Sequence, residues 1–231
     1  MEWDQIAHKV APYVVKIETP TGSGTGFLCF YNEDKNLCGV ATALHVIEHS
    51  DEWQQPIKIN HIHSGKISFL KETDRFIYLN WKTDSAIIIF QVGNLPFPSA
   101  PIPLLPLDNP ISIGNEVGWF GFPGIEPYTL CFFSGNISAY RTDRKAYLID
   151  GVAINGVSGG PVVYSTDTDG VQVVGIISAY RANRLGPDAL PGLSIAQDVS
   201  YFHDVIQQVK SIDEAKKKEI KEPESKKEEN C

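Results

Sequence analysis

The sequence predicts an all-β protein: two six-stranded antiparallel β-barrels in tandem, closed by a C-terminal helix. Three observations carry this. Short apolar segments of strand length recur along the chain, bounded by Gly, Pro, Asn and Asp. Residues 94–110 hold Pro96, Pro98, Pro101, Pro103, Pro106 and Pro110, which divide those segments into two groups. After Asp198 the apolar period changes from two to the helical spacing of Val199, Phe202, Val205, Ile206 and Val209.

In order, the chain opens on Trp3, Ile6, Ala7 and Val10 at helical spacing, a lead-in helix within residues 1–12. Strand segments within 13–93 are Val14–Glu18, Gly26–Phe30, Cys38–Thr42, Ile57–Ile62, Ile67–Leu70, Phe76–Trp81 and Ala86–Val92. They supply the first barrel. Proline cannot donate to a strand ladder, so 94–115 reads as an extended inter-barrel linker. The second barrel, 116–198, takes Glu116–Phe120, Thr129–Ile137, Ala146–Ile149, Pro161–Ser165, Val171–Ser178 and Leu193–Ala196. Asp198 has the side chain of an N-cap for a helix over 199–212. Residues 213–231 are Lys- and Glu-rich with little apolar content, which predicts a disordered tail or a frayed continuation of that helix.

Composition narrows the function. The 231 residues fit two small barrels. The formal charge is −8, and residues 210–231 carry seven Lys against seven Asp or Glu, so the excess acid sits on the body. An acidic body argues against a nucleic-acid partner. Met1-Glu2-Trp3-Asp4 has no basic and apolar leader, and no run reaches eighteen apolar residues, so no membrane partner is expected. Cys29, Cys38, Cys131 and Cys231 read as free thiols of a reducing, cytoplasmic setting, with a Cys29–Cys38 hairpin disulfide as the alternative. His61 and His63 alternate onto one strand face without a third ligand at metal spacing. No metal and no organic cofactor is expected.

The chemistry concentrates at Asn155-Gly156-Val157-Ser158-Gly159-Gly160-Pro161. Glycines let the backbone turn sharply and leave N–H groups free. A serine there can attack a carbonyl, and the N–H groups of Gly156 and Ser158 can hold the resulting oxyanion. His45 closes an apolar run as a candidate general base. Asp84, just before Ser85-Ala86-Ile87-Ile88-Ile89, is the candidate to orient it. The order His, Asp, Ser is one of three known triad orders. The backup acid is Asp74, and His49 reads as a surface residue.

With these residues the chain resembles the trypsin-like serine peptidases, closest to the protease domain of the HtrA type without a PDZ domain. Gly22-Ser23-Gly24-Thr25-Gly26-Phe27, Ala43-Leu44-His45-Val46-Ile47, Asp84-Ser85-Ala86-Ile87-Ile88, Val117-Gly118-Trp119-Phe120-Gly121-Phe122-Pro123 and Val174-Gly175-Ile176-Ile177-Ser178 are similar to that family's motifs. The resemblance covers about residues 6–210. It implies a serine endopeptidase acting on protein or peptide through an acyl-enzyme, with catalytic His45, Asp84 and Ser158. It assigns Ser178 to support of the triad aspartate. Ala179 and Tyr180 would line one wall of the specificity pocket, and Val152, Ala153 and Ile154 the other. None is acidic, so an apolar substrate side chain is expected there. Relatives of the HtrA type are often trimers, so a homo-oligomer is allowed.

The chain departs from the family at Val157, which stands where Asp or Asn usually precedes the nucleophile. Activation by pairing that acid with a newly cut N-terminus is therefore excluded. The loop Ala153-Ile154-Asn155-Gly156 is about one residue shorter than in HtrA proteins. Two readings follow: a preformed oxyanion hole, or one formed only when substrate or an activating protein partner binds. A different class of function, a catalytically silent scaffold holding an extended peptide in the groove, is the alternative.

Overall fold

A computed structural model describes residues 2–107, 109–166, 168–184 and 189–228; the side chains of 180–191 and of 219 onward lie outside it. Helix α1 (Trp3–Val10) buries Ile6 and Val10, and one 3₁₀ turn leads from it into the first sheet. That sheet is built from β1 (Val14–Thr19), β2 (Gly22–Tyr31), β3 (Leu37–Ala43), β4 (Ile57–His61), β5 (Lys66–Leu70), β6 (Arg75–Asn80) and β7 (Ser85–Gln91). Their order is β5-β4-β1-β2-β3-β7-β6, antiparallel throughout. The first half therefore holds seven strands, matching the seven segments read from the sequence, in a half-barrel rather than a closed six-stranded ring. At the β5–β6 seam the Arg75 guanidinium, not a strand ladder, donates to Leu70 O at 2.9 Å.

The second half closes fully. β8 (Glu116–Gly121), β9 (Cys131–Arg141), β10 (Ala146–Asp150), β11 (Pro161–Thr166), β12 (Gly170–Arg184) and β13 (Ala189–Asp198) form a barrel in the order β10-β13-β12-β11-β8-β9. The proline-rich connection lies against it. Leu105 N donates to Val173 O and Val173 N to Pro103 O, both at 2.8 Å, while Ile102 and Leu105 are buried.

Strand alternation decides where the core sits. On β7, Ala86, Ile88 and Phe90 fill the interior of the first half. Ile87 and Ile89 face the other way, into a cluster shared with Trp119, Phe120, Phe122 and the C-terminal helix. Both faces of β7 are thus buried, which explains its unbroken apolar run. Cys29 and Cys38 are buried free thiols, not a disulfide, and burial raises the Cys38 thiol to about 12.

Two helices differ from the sequence expectation. Helix α2 (Leu44–Glu52) follows β3 directly and buries Leu44, Ile47 and Ser50. The apolar run before it masks its start. Helix α3 runs from Ser200 to Glu228, well past residue 212. Asp198 Oδ1 accepts from Ser200 N at 3.0 Å at its start. Its later turns are rich in Lys and Glu, good helix formers that can pair at i,i+4. Trp3 is half-buried, its ring 5.1 Å from that of Phe132, whereas Trp53 is exposed.

Phe202 on α3 is fully buried and meets Phe27 of β2 edge-on at 6.3 Å. It joins the helix to both halves. Phe202→Ala is expected to cost about 3–5 kcal/mol, read as a lowered urea midpoint.

Candidate active site

The site forms where the two halves meet. Asp84 occupies the β6–β7 turn with φ 47°, a left-handed conformation that Asp tolerates better than most residues. This geometry places its backbone and its carboxylate against the start of α2. Leu44 N donates to Asp84 O at 3.1 Å, and His45 N donates to Asp84 Oδ1 at 3.0 Å. The carboxylate thus satisfies an orphan N–H at a helix N-terminus, where negative charge is favoured.

The same carboxylate holds the imidazole. His45 Nδ1 lies 2.8 Å from Asp84 Oδ2, which also accepts from Ser178 Oγ at 2.6 Å. Ser178 comes from β12 in the second half and is buried. The β12–β13 register slips between Ile177 and Ala179, so Ser178 sits on a bulge, a device that re-aims a side chain. The far end of α2 is held too: the Arg75 guanidinium donates to Ser50 O at 3.1 Å and Gln55 O at 2.8 Å. Neither the bulge nor Arg75 carries a local sequence signal; both are read only from the paired strands.

With Nδ1 engaged, His45 presents Nε2 on the opposite side of the ring. His45, Val46, Asn155, Gly156 and Ser158 line one cleft of about 230 Å³ together with Thr19, Thr21, Gly22 and Ser23. Ser158 is held by its backbone: Thr25 N donates to Ser158 O at 2.8 Å. Gly159, at φ 84°, leaves no room for a Cβ, which would fall 2.2 Å from Thr25 O. Val157 is fully buried and packs on Gly121, an apolar plug directly before the serine.

The turn before Ser158 is fixed on both sides of Gly156. Asn155 O accepts from Gly124 N at 2.7 Å. A trans peptide sets C=O and N–H in opposite directions, so Gly156 N–H points away from Gly124. Gly156 itself has φ 94°, which only glycine adopts cheaply. Its carbonyl accepts from Thr25 Oγ1 at 2.8 Å. Among the described residues, the N–H groups of Gly156 and Ser158 have no partner.

The remaining candidates differ in exposure. Val152 is exposed, Ala153 and Ile154 are half-buried, and Ala179 is exposed beside Ser178. The side chain of Tyr180 lies outside the described residues. Asp74 only caps its own turn, accepting from Lys71 N at 3.0 Å. His49 stacks on Trp53. His61 uses both ring nitrogens on the protein, 2.7 Å from Ser64 Oγ and 2.8 Å from Pro12 O, which leaves none for a metal.

A half-barrel and a barrel thus bring a His–Asp pair and a glycine-flanked serine to one cleft. The chain belongs to the trypsin-like peptidase domain family, which matches residues 24–176, and it is a serine protease. Among curated proteins none matches. Solved structures share the fold. A serine endoprotease from Yersinia pestis is 22% identical over 91% of this chain and 67% of its own, with TM-score 0.65. Deg5 is 19% identical over 88% and 94%, with TM-score 0.63. Rv3671c from M. tuberculosis, in an inactive form, is 19% identical over 89% and 90%, with TM-score 0.60. At these identities the likeness is one of fold.

Electrostatics follow from the geometry. The hydrogen bond to Asp84 raises the His45 pKa above 6.5; burial opposes it, and the charges of Asp84 and Glu48 assist. Burial alone would raise Asp84, but the bonds from His45 and Ser178 outweigh it and hold the carboxyl below 3.8. A raised histidine pKa contributes stability that is full below the unfolded value and lost as pH rises through the folded one. A lowered aspartate pKa contributes stability above the unfolded value, lost as pH falls through the folded one. The pair therefore stabilises most between about pH 4 and 6.5. An NMR titration of His45 should give a midpoint above 6.5, and Asp84→Asn should lower it.

Proposed function

We propose that the chain is an endopeptidase that cleaves protein or peptide through an acyl-enzyme on Ser158. The observation that carries this is the 2.8 Å His45 Nδ1–Asp84 Oδ2 contact, which frees Nε2 for the cleft that Ser158 lines. In this reading Ser158 Oγ attacks the scissile carbonyl and passes its proton to His45 Nε2. Asp84 keeps the imidazole in the right tautomer and stabilises the imidazolium. The N–H groups of Gly156 and Ser158 hold the oxyanion. His45 then protonates the leaving amine. Water attacks the acyl-enzyme by the same route and releases the second product.

The oxyanion donors favour a hole that is already formed. The bond from Gly124 N to Asn155 O turns the Gly156 N–H away from Gly124, and glycine supplies the positive φ this needs. No activating partner is then required for the chemistry. The walls assigned to the specificity pocket, Val152, Ala153, Ile154 and Ala179, are apolar, which supports an apolar residue on the acyl side of the cut.

A fluorophosphonate probe read by intact mass tests this. The wild type should gain one adduct and Ser158→Ala none. An adduct that survives Ser158→Ala, or none on the wild type, would refute the assignment. Asp84→Asn should lower kcat by about 10⁴-fold, because Nδ1 loses its carboxylate acceptor.

A further inference from the structure

Thr25, on β2, meets the Ser158 turn from the other half of the molecule. It is fully buried. Its hydroxyl donates to Gly156 O at 2.8 Å and accepts from Phe122 N at 3.0 Å. Its own N–H donates to Ser158 O at 2.8 Å. Its carbonyl accepts from Thr42 Oγ1 at 2.7 Å, and Thr42 lies on β3, three residues before His45. One residue thus grips the carbonyls on both sides of Val157 and is tied to the strand that delivers the histidine.

These bonds fix directions as well as distances. The Gly156 N–H is aimed by two neighbouring peptide planes. Gly124 N holds the plane before Gly156, through Asn155 O. Thr25 Oγ1 holds the plane after it, through Gly156 O. Glycine has no Cβ to restrict φ and ψ, so nothing in Gly156 itself maintains φ 94°. The acceptor half of the same hydroxyl holds Phe122 N, two residues before Gly124. The hydroxyl therefore supports both planes, one directly and one through the 122–124 segment.

We propose that Thr25 is a positioning residue for the oxyanion donors, setting the Gly156 and Ser158 N–H groups from the opposite half of the protein. This rests on the proposed endopeptidase mechanism. Thr25 touches neither substrate nor the reacting atoms. It acts by removing the rotational freedom of the Gly156 peptides. A donor misplaced by an ångström stabilises the oxyanion poorly while leaving ground-state peptide binding intact.

The test compares wild type, Thr25→Val, Thr25→Ser and Thr25→Ala in the full chain, using a peptide substrate and a peptide boronate whose adduct oxygen needs the same donors. Thr25→Val keeps the shape and removes the hydroxyl. It should lower kcat roughly 10- to 100-fold and weaken the boronate by a similar factor, with KM little changed. Thr25→Ser, which keeps the hydroxyl and loses only the methyl, should restore most of kcat. If Thr25→Val does not fold, the Ser and Ala variants carry the comparison, since both lack the methyl and differ by the hydroxyl. Equal kcat in Ser and Ala, or a loss confined to KM, would overturn the inference. A wild type that neither cleaves peptide nor takes the fluorophosphonate would instead overturn the mechanism beneath it.

Discussion

Asp84 sits where the two halves exchange hydrogen bonds, and the geometry of the site depends on its carboxylate. Oδ1 takes the His45 N–H, and Oδ2 takes the His45 ring and the Ser178 hydroxyl. A partly buried carboxylate is costly unless its lone pairs are used. Here the three donors come from a helix start in the first half and a strand bulge in the second. Satisfying the charge therefore requires the halves to be docked in register. The same requirement turns the imidazole so that only Nε2 remains for chemistry.

A second set of contacts complements this one. Asp84 binds the histidine helix to the second barrel, while Thr25 binds the serine turn to the first sheet. Thr25 of the first half thus orders the serine turn of the second, while Ser178 of the second half supports the Asp84 that holds the histidine of the first. The arrangement explains why the inter-half surface is closely packed. Gly24, Gly121 and Gly159 all sit where a Cβ would approach an atom of the other half or of the Ser158 turn within 3.1 Å. The shared core of Phe27, Trp119, Phe120 and Phe202 backs these polar contacts and keeps water from them.

Most strands were legible because their signals are local. Ile87 to Phe90 or Val173 to Ile177 read as strands from their own residues and their flanking turns. His45, Asp84 and Ser158 were legible as candidates because each has distinctive neighbours. What was not legible depends on residues far apart in sequence. Helix α2 has no cap of its own; its N–H groups are met by Asp84, 39 residues on. Thr25 looks like one more small residue in Gly22-Ser23-Gly24-Thr25-Gly26 until Gly156, 131 residues later, is placed against it. The open β5–β6 seam depends on the Arg75 side chain, which no alternation pattern encodes.

Val157 shows how the serine turn is held without a charge. An acid at this position would need a buried cationic partner, and an unpaired one would oppose burial. Val157 is fully buried among apolar neighbours, so the position contributes packing. Its N–H donates to Ile154 O and its carbonyl accepts from Gly160 N, which leaves no backbone group of Val157 unpaired. The turn is thus shaped by peptide hydrogen bonds, the Thr25 hydroxyl and apolar burial, none of which titrates near neutral pH. In the proposed mechanism the pH response of the site then falls on the His45–Asp84 pair, with the Glu48 charge acting on the imidazole, while the hydrogen bonds that shape the serine turn carry no titrating group.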